Sequence, residues 1–146
     1  MSKSAIARSN RAADVIAPAG VPASILVVEN YEDSASSLAD LLEFCGYRVV
    51  VAACGKDALR LAEPVPDVVI TELRLPDMDG HDLVRQLHER AAGKSQLVIA
   101  VTSRQREEDL ARAAAAGVDL HFSKPADPRE LLGAVARFFR NLAPGC

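Results

Sequence analysis

An α/β fold with a doubly wound, five-stranded parallel sheet is the class this sequence predicts, on three observations. Short continuous apolar runs, which suit strands buried on both faces, recur along the chain. Segments with helical apolar period lie between them. Glycines and prolines punctuate the joins. Regular alternation of this kind puts helices on both faces of a parallel sheet.

The elements follow in order. Residues 1–23 are rich in Ala, Ser and Arg and close on Pro18, Gly20 and Pro22, so they read as a mobile N-terminal tail. Ile25 to Val28 is the first strand. Ala35, Leu38, Ala39, Leu42 and Cys45 mark the first helix, which Gly46 ends. Tyr47 to Ala52 is β-rich, Gly55 to Glu63 is a short helix stopped by Pro64, and Val68 to Ile70 is the third strand. Leu83, Val84, Leu87 and Ala91 define the third helix. Leu97 to Val101 is a strand, 105–116 an Ala-rich helix ended by Gly117, and Leu120 to Phe122 the fifth strand. Asp127-Pro128-Arg129-Glu130 reads as a capping box with proline in the first turn. It opens a helix with the stripe Leu131, Leu132, Val135, Phe138, Phe139 and Leu142. One domain is expected over 24–143, with 144–146 as a C-terminal end. No second domain is expected within the chain, so its output should lie outside it.

Composition excludes several classes. With 146 residues, 49% of them hydrophobic, the chain can bury a core without staples. A net charge of −3 gives no electrostatic footprint for nucleic acid or an anionic membrane. The absence of Trp and 4% aromatic content argue against a base-stacking platform. Cys45, Cys54 and Cys146 form no CxxC and no metal spacing, which fits thiols in a reducing compartment. No apolar run reaches membrane-span length, and Arg8, Arg11 and Asp14 stand where a signal peptide needs apolar residues, so a cytoplasmic protein is expected.

In an open α/β sheet, chemistry gathers at the carboxyl ends of the strands. Here those ends carry Glu29-Asn30, Glu72, Thr102-Ser103 and Lys124. Any one alone is an ordinary polar loop residue. Together with the segment DVVITELRLPDMDG over Asp67 to Gly80 and the pair Lys124-Pro125, they resemble the receiver domains of two-component response regulators over residues 24–142. The resemblance implies a flavodoxin-like (βα)₅ fold with strand order 2-1-3-4-5.

The same resemblance implies roles. A receiver accepts a phosphoryl group on an aspartate four residues before a loop proline; Pro76 is that proline, and position 72 holds Glu. An acidic pair after the first strand and a backbone carbonyl hold Mg²⁺, and here those positions are Glu29, Asn30 and Arg74, with Glu72 beside them. Thr102 and Lys124 match the residues that contact the phosphoryl oxygens, and His121 stands at the switch aromatic.

The departures argue against phosphotransfer. Mg²⁺ prefers hard anionic oxygens in a near-octahedral shell, and Asn30 removes one. Glu72 adds one methylene, about 1.5 Å of bond length, and a misplacement of about 1 Å can cost roughly 100-fold in rate. The cofactor expectation is none, or weak Mg²⁺ at most. The longer side chain could instead reach Lys124 and Thr102, in partial imitation of a phosphoryl group. Two outcomes fit the sequence: Glu72 fixes a signalling-like state, or it forms an ordinary ion pair in an inert relic.

The function expected is a stand-alone atypical receiver (a pseudo-receiver) in phosphorelay signal transduction, not an enzyme, acting by phosphorylation-independent protein–protein interaction. The alternative is a conventional phosphoacceptor using Glu72 or a nearby acid such as Asp77. A flavin or nucleotide site is disfavoured because the loop Glu29 to Ser34 has no glycine to cradle phosphate. Partners implied are a histidine kinase or a downstream effector, with no nucleic acid and no membrane. The implied surface is the fourth helix, fifth strand and fifth helix, with Arg104, Arg106, Arg112 and His121 facing an acidic patch. A homodimer through the same surface is a further expectation. His81 and His88, seven apart on the third helix, read as solvated.

Overall fold

The computed structural model describes residues 16–17, 23–103 and 107–142. Five strands, β1 (Ser24–Val28), β2 (Arg48–Ala52), β3 (Val68–Thr71), β4 (Leu97–Thr102) and β5 (Leu120–Ser123), form one sheet in the order β2-β1-β3-β4-β5. Every pairing is parallel. Between and after the strands run α1 (Glu32–Phe44), α2 (Gly55–Leu61), α3 (Gly80–Ala91), α4 (Glu107–Ala116) and α5 (Pro128–Leu142).

Alternate strand residues feed two cores. Ile25, Val27, Val68, Ile70 and Ile99 pack with Leu42 of α1 and Leu131, Leu132, Val135 and Phe139 of α5. Leu26, Val28, Val69, Val98 and Ala100 pack with Ala58 of α2, Leu83, Val84 and Leu87 of α3, and Ala113 of α4. Residues on β1 and β3 are therefore apolar on both sides, which is why those strands read as continuous runs rather than as alternation. The edge strand β2 departs from this, with Val50 and Val51 exposed.

Gly46, at φ 100°, occupies the left-handed conformation that ends α1, where a side chain would be strained. Asp127 Oδ1 accepts the Arg129 N–H at 2.9 Å and so caps α5. Cys45 is buried and Cys54 half-buried, both free thiols; Cys146 lies outside the described residues.

Of the stretch read as a mobile tail, residues 1–15 and 18–22 lie outside the described residues. Ala17 donates its N–H to Cys45 O at 2.8 Å and packs on the α1/α5 core. Ala23 is buried and its carbonyl accepts from the Arg48 N–H. Among the described residues, no helix is long and apolar enough to cross a membrane.

Candidate functional site: a carboxylate–ammonium cluster at the strand ends

Parallel pairing brings the carboxyl ends of β1, β3, β4 and β5 to one rim. The Glu72 N–H donates to Val28 O at 2.9 Å and the Lys124 N–H to Thr102 O at 3.0 Å, so the sheet's hydrogen bonding fixes both residues. Glu72 is only 6% exposed, and Thr102 is buried beside it.

Lys124 is the centre. Its Nζ lies 2.8 Å from Glu29 Oε1 and 2.7 Å from Glu72 Oε1, with side-chain exposures of 27%, 11% and 6% for the three residues. The remaining carboxylate oxygens are also engaged. Glu72 Oε2 accepts the Leu73 and Arg74 N–H groups, each at 2.8 Å, and Glu29 Oε2 accepts the Tyr31 N–H at 3.1 Å. The ammonium also stands 5.9 Å from the centre of the Tyr31 ring, within cation–π range.

Burial by itself would raise the Glu72 carboxyl. Hydrogen bonds from Lys124, the Arg74 amide and Thr102 outweigh it and hold Glu72 below the ordinary carboxylate value. Lys124 behaves in mirror image: burial works against its charge, the two carboxylates prevail, and its proton is held more tightly than usual. The cluster is charged, internally paired and directional.

The receiver-domain family model, described as response regulator receiver domain, matches residues 25–136, across all five strands and most of α5. The chain belongs to this family. Receivers are modules of two-component response regulators. This one is 36% identical over 115 residues to an uncharacterised 14.6 kDa protein in the sodA1 3′ region of Leptolyngbya boryana, covering 78% of this chain and 88% of that one. It is 30% identical over 108 residues to the response regulator SaeR of Staphylococcus epidermidis, covering 74% of this chain and 46% of SaeR. The chain thus spans about half the length of that full regulator. Among solved structures, the CheY-like receiver domain protein of Methanospirillum hungatei JF-1 superposes with a TM-score of 0.77 at 29% identity, over 83% of this chain and 96% of that one.

The receiver rim brings Glu29, Glu72, Thr102 and Lys124 together, with the Arg74 amide. It leaves Asn30 exposed on the loop after β1, and the Arg74 side chain outside. The fold family implies Mg²⁺ here, but these residues do not fit it. The Glu29 and Glu72 oxygens that face each other already share an ammonium, and the other two accept backbone N–H groups. Among the described residues, no three His, Cys, Asp or Glu side chains are grouped to hold a metal ion.

Asp77 does other work. Its carboxylate accepts the Gly55 and Lys56 N–H groups at 2.8 and 2.9 Å, capping α2 from the β3–α3 loop.

Two sequence readings need correction. His81 is not solvated: its side chain is 13% exposed and Nδ1 lies 2.9 Å from Asp79 Oδ1. An aspartate two residues ahead at a helix start signalled this, because an N-cap carboxylate also reaches a nearby ring. Arg112 is not a free charge for a partner, since it pairs with Asp79 at 2.8 Å. Arg104 and Arg106 lie outside the described residues.

Proposed function

We propose that this receiver works without phosphoryl transfer, as a protein-interaction module whose site is held in one state by Glu72 and Lys124. The observation that carries this reading is the single ammonium bridging two carboxylates at 2.8 and 2.7 Å. In a working receiver, an anion must attack an anionic donor, which requires a metal ion and accurate placement. Here the cation between the acids is built into the chain. Glu72 presents anionic oxygens to Lys124 and Thr102, where a transferred phosphoryl group would be gripped. With one charge and two oxygens it reproduces that group in part.

The partner is a histidine kinase or a downstream effector of phosphorelay signalling, met through the α4–β5–α5 surface. The stand-alone, non-enzymatic character of the protein belongs to the same proposal. A homodimer over that surface is a further expectation.

The decisive experiment is incubation with acetyl phosphate and Mg²⁺, read by intact mass. The native chain should stay unmodified, and Mg²⁺ should bind no tighter than the millimolar range, because Asn30 supplies no anionic oxygen. The double substitution Glu72→Asp with Asn30→Asp should restore metal binding and a phosphoryl adduct, and Glu72→Asp alone should do less. An adduct on the native chain would overturn the proposal in favour of a conventional acceptor at Glu72 or Asp77, and peptide mapping would tell the two apart. Asp77 starts at a disadvantage, since both of its oxygens cap α2.

A further inference from the structure

A cleft of about 480 Å³ opens beside the carboxylate rim, between α1 and the start of α5. Strand period explains its floor. Side chains two residues apart share a face of the sheet, and Val27 and Ile70 belong to the core under α1 and α5. Glu29 and Glu72 follow two residues later and stay in the ladder, donating their N–H groups to Ala52 O and Val28 O. Both acids therefore end columns whose earlier members are apolar, so the floor is apolar with one charged end. The cleft reaches that floor. On β4, Ala100 and Thr102 are buried, yet Val101 between them is only half-buried, although it packs on the α1/α5 core.

Small residues keep the walls apart. Ser34, Ser37 and Leu41, on one face of α1, line one side; Ala126, Pro128 and Leu131 line the other. A leucine at position 37 or 126 would project into space that serine and alanine leave open. The volume falls within the about 300–1,000 Å³ typical of small-molecule sites, which are mostly apolar with a few polar groups that orient the ligand.

Charge decides the kind of ligand. Lys124 stands between Glu29 and Glu72, and two carboxylates against one ammonium leave that end of the cleft one charge negative. α1 adds Glu32, Asp33, Asp40 and Glu43 and carries no lysine or arginine. At the start of α5, Asp127 and Glu130 outnumber Arg129. A cation would be drawn into such a cleft and an anion repelled. Acceptor capacity also remains. One Glu29 oxygen takes Lys124 and the other the Tyr31 N–H, and a carboxylate oxygen can accept two hydrogen bonds.

We propose that this cleft binds a small organic cation, an amine whose apolar body lies on Val27, Ile70 and Val101 and whose ammonium donates to Glu29. The site stands on the Lys124 pairing as geometry and not on the absence of phosphoryl transfer. The two readings therefore fail by different measurements, one by mass and the other by ligand binding.

The chain contains no Trp, so indole fluorescence reports an added probe alone. Tryptamine, tryptophol and indoleacetate share a ring system and carry an ammonium, a hydroxyl and a carboxylate. Titrated with the full native chain at neutral pH, tryptamine should give a saturable change and bind about tenfold or more tightly than tryptophol, with indoleacetate weakest. Ser37→Leu should abolish tryptamine binding. Phe44→Ser, which alters an exposed residue of the same helix outside the cleft, should leave it intact. No saturation by tryptamine, equal binding of the three probes, or binding that survives Ser37→Leu overturns the proposal. Loss of binding in Phe44→Ser overturns it too, since the probe would then be held by exposed apolar surface. If Ser37→Leu fails to fold, Ala126→Leu on the opposite wall is held to the same result.

Discussion

Lys124 holds a site that would otherwise repel itself. Glu29 and Glu72 approach the same point, and without the ammonium two nearly buried carboxylates would stand together. The substitution Lys124→Met should therefore cost about 3 kcal/mol at neutral pH, read as a lower urea midpoint. Glu72 titrates below its ordinary 4.5 and Lys124 above its ordinary 10.5. The cluster's contribution is thus full between those two values. It is lost as pH falls through the depressed Glu72 value, and again as pH rises through the elevated Lys124 value. The gap between native and Lys124→Met should shrink on acidification, when one carboxyl of the variant takes a proton. Equal stability at neutral pH would mean that solvent screens the cluster and that it locks nothing. Glu72 and Lys124 are legible in the sequence as strand-end residues. That one ammonium would meet both acids was not, because 95 residues separate Lys124 from Glu29.

The join between β3 and α3 shows how one element aims another. Gly80 opens α3 and donates its N–H to Leu73 O at 3.1 Å, and an added Cβ would collide with the Leu73 backbone. Backbone cannot swing aside, so Gly80→Ala should displace the loop that carries Glu72 and Arg74. Its cost should lie at the upper end of the about 1–3 kcal/mol typical of overpacking. Gly55 is the contrast: its Cβ would meet the Met78 side chain, which is flexible and can move. Gly55→Ala should lower the melting temperature less than Gly80→Ala, and the reverse order would refute this account of the loop. From the sequence, Gly80 reads as a turn residue just ahead of a helix. Its close contact with Leu73 is a property of the folded loop.

At the scale of the whole molecule, α5 closes one face of the sheet. Phe139 is fully buried, with its ring centre 5.4 Å from those of Tyr47 and Phe138. Truncation by Phe139→Ala should cost about 3–5 kcal/mol, seen as a lower urea midpoint in one cooperative transition. A loss below about 1 kcal/mol would mean that α5 unfolds separately from the sheet. The surface above α5 and α4 is where a partner is proposed to bind. Arg112→Glu is a poor probe of that surface, since it also breaks the Asp79 bridge and would disturb the fold locally.

The sequence by itself determined the order and kind of the elements. Apolar runs at β1, β3 and β4 mean two covered faces, and the stripe from Leu131 to Phe139 means one buried helix face. It also determined which polar residues end the strands, since the chain must leave a parallel sheet at its carboxyl edge. Helix ends were less legible: the reading carried α2 to Glu63, whereas it stops at Leu61. Tertiary structure alone decided the pairings. Whether Asp77 is free or a cap, and whether Arg112 is free or bonded to Asp79, depend on which loops packing brings side by side. Together with the Lys124–Glu29 pair, those contacts span 21 to 95 residues of chain, and local patterning carries no information about groups that distant.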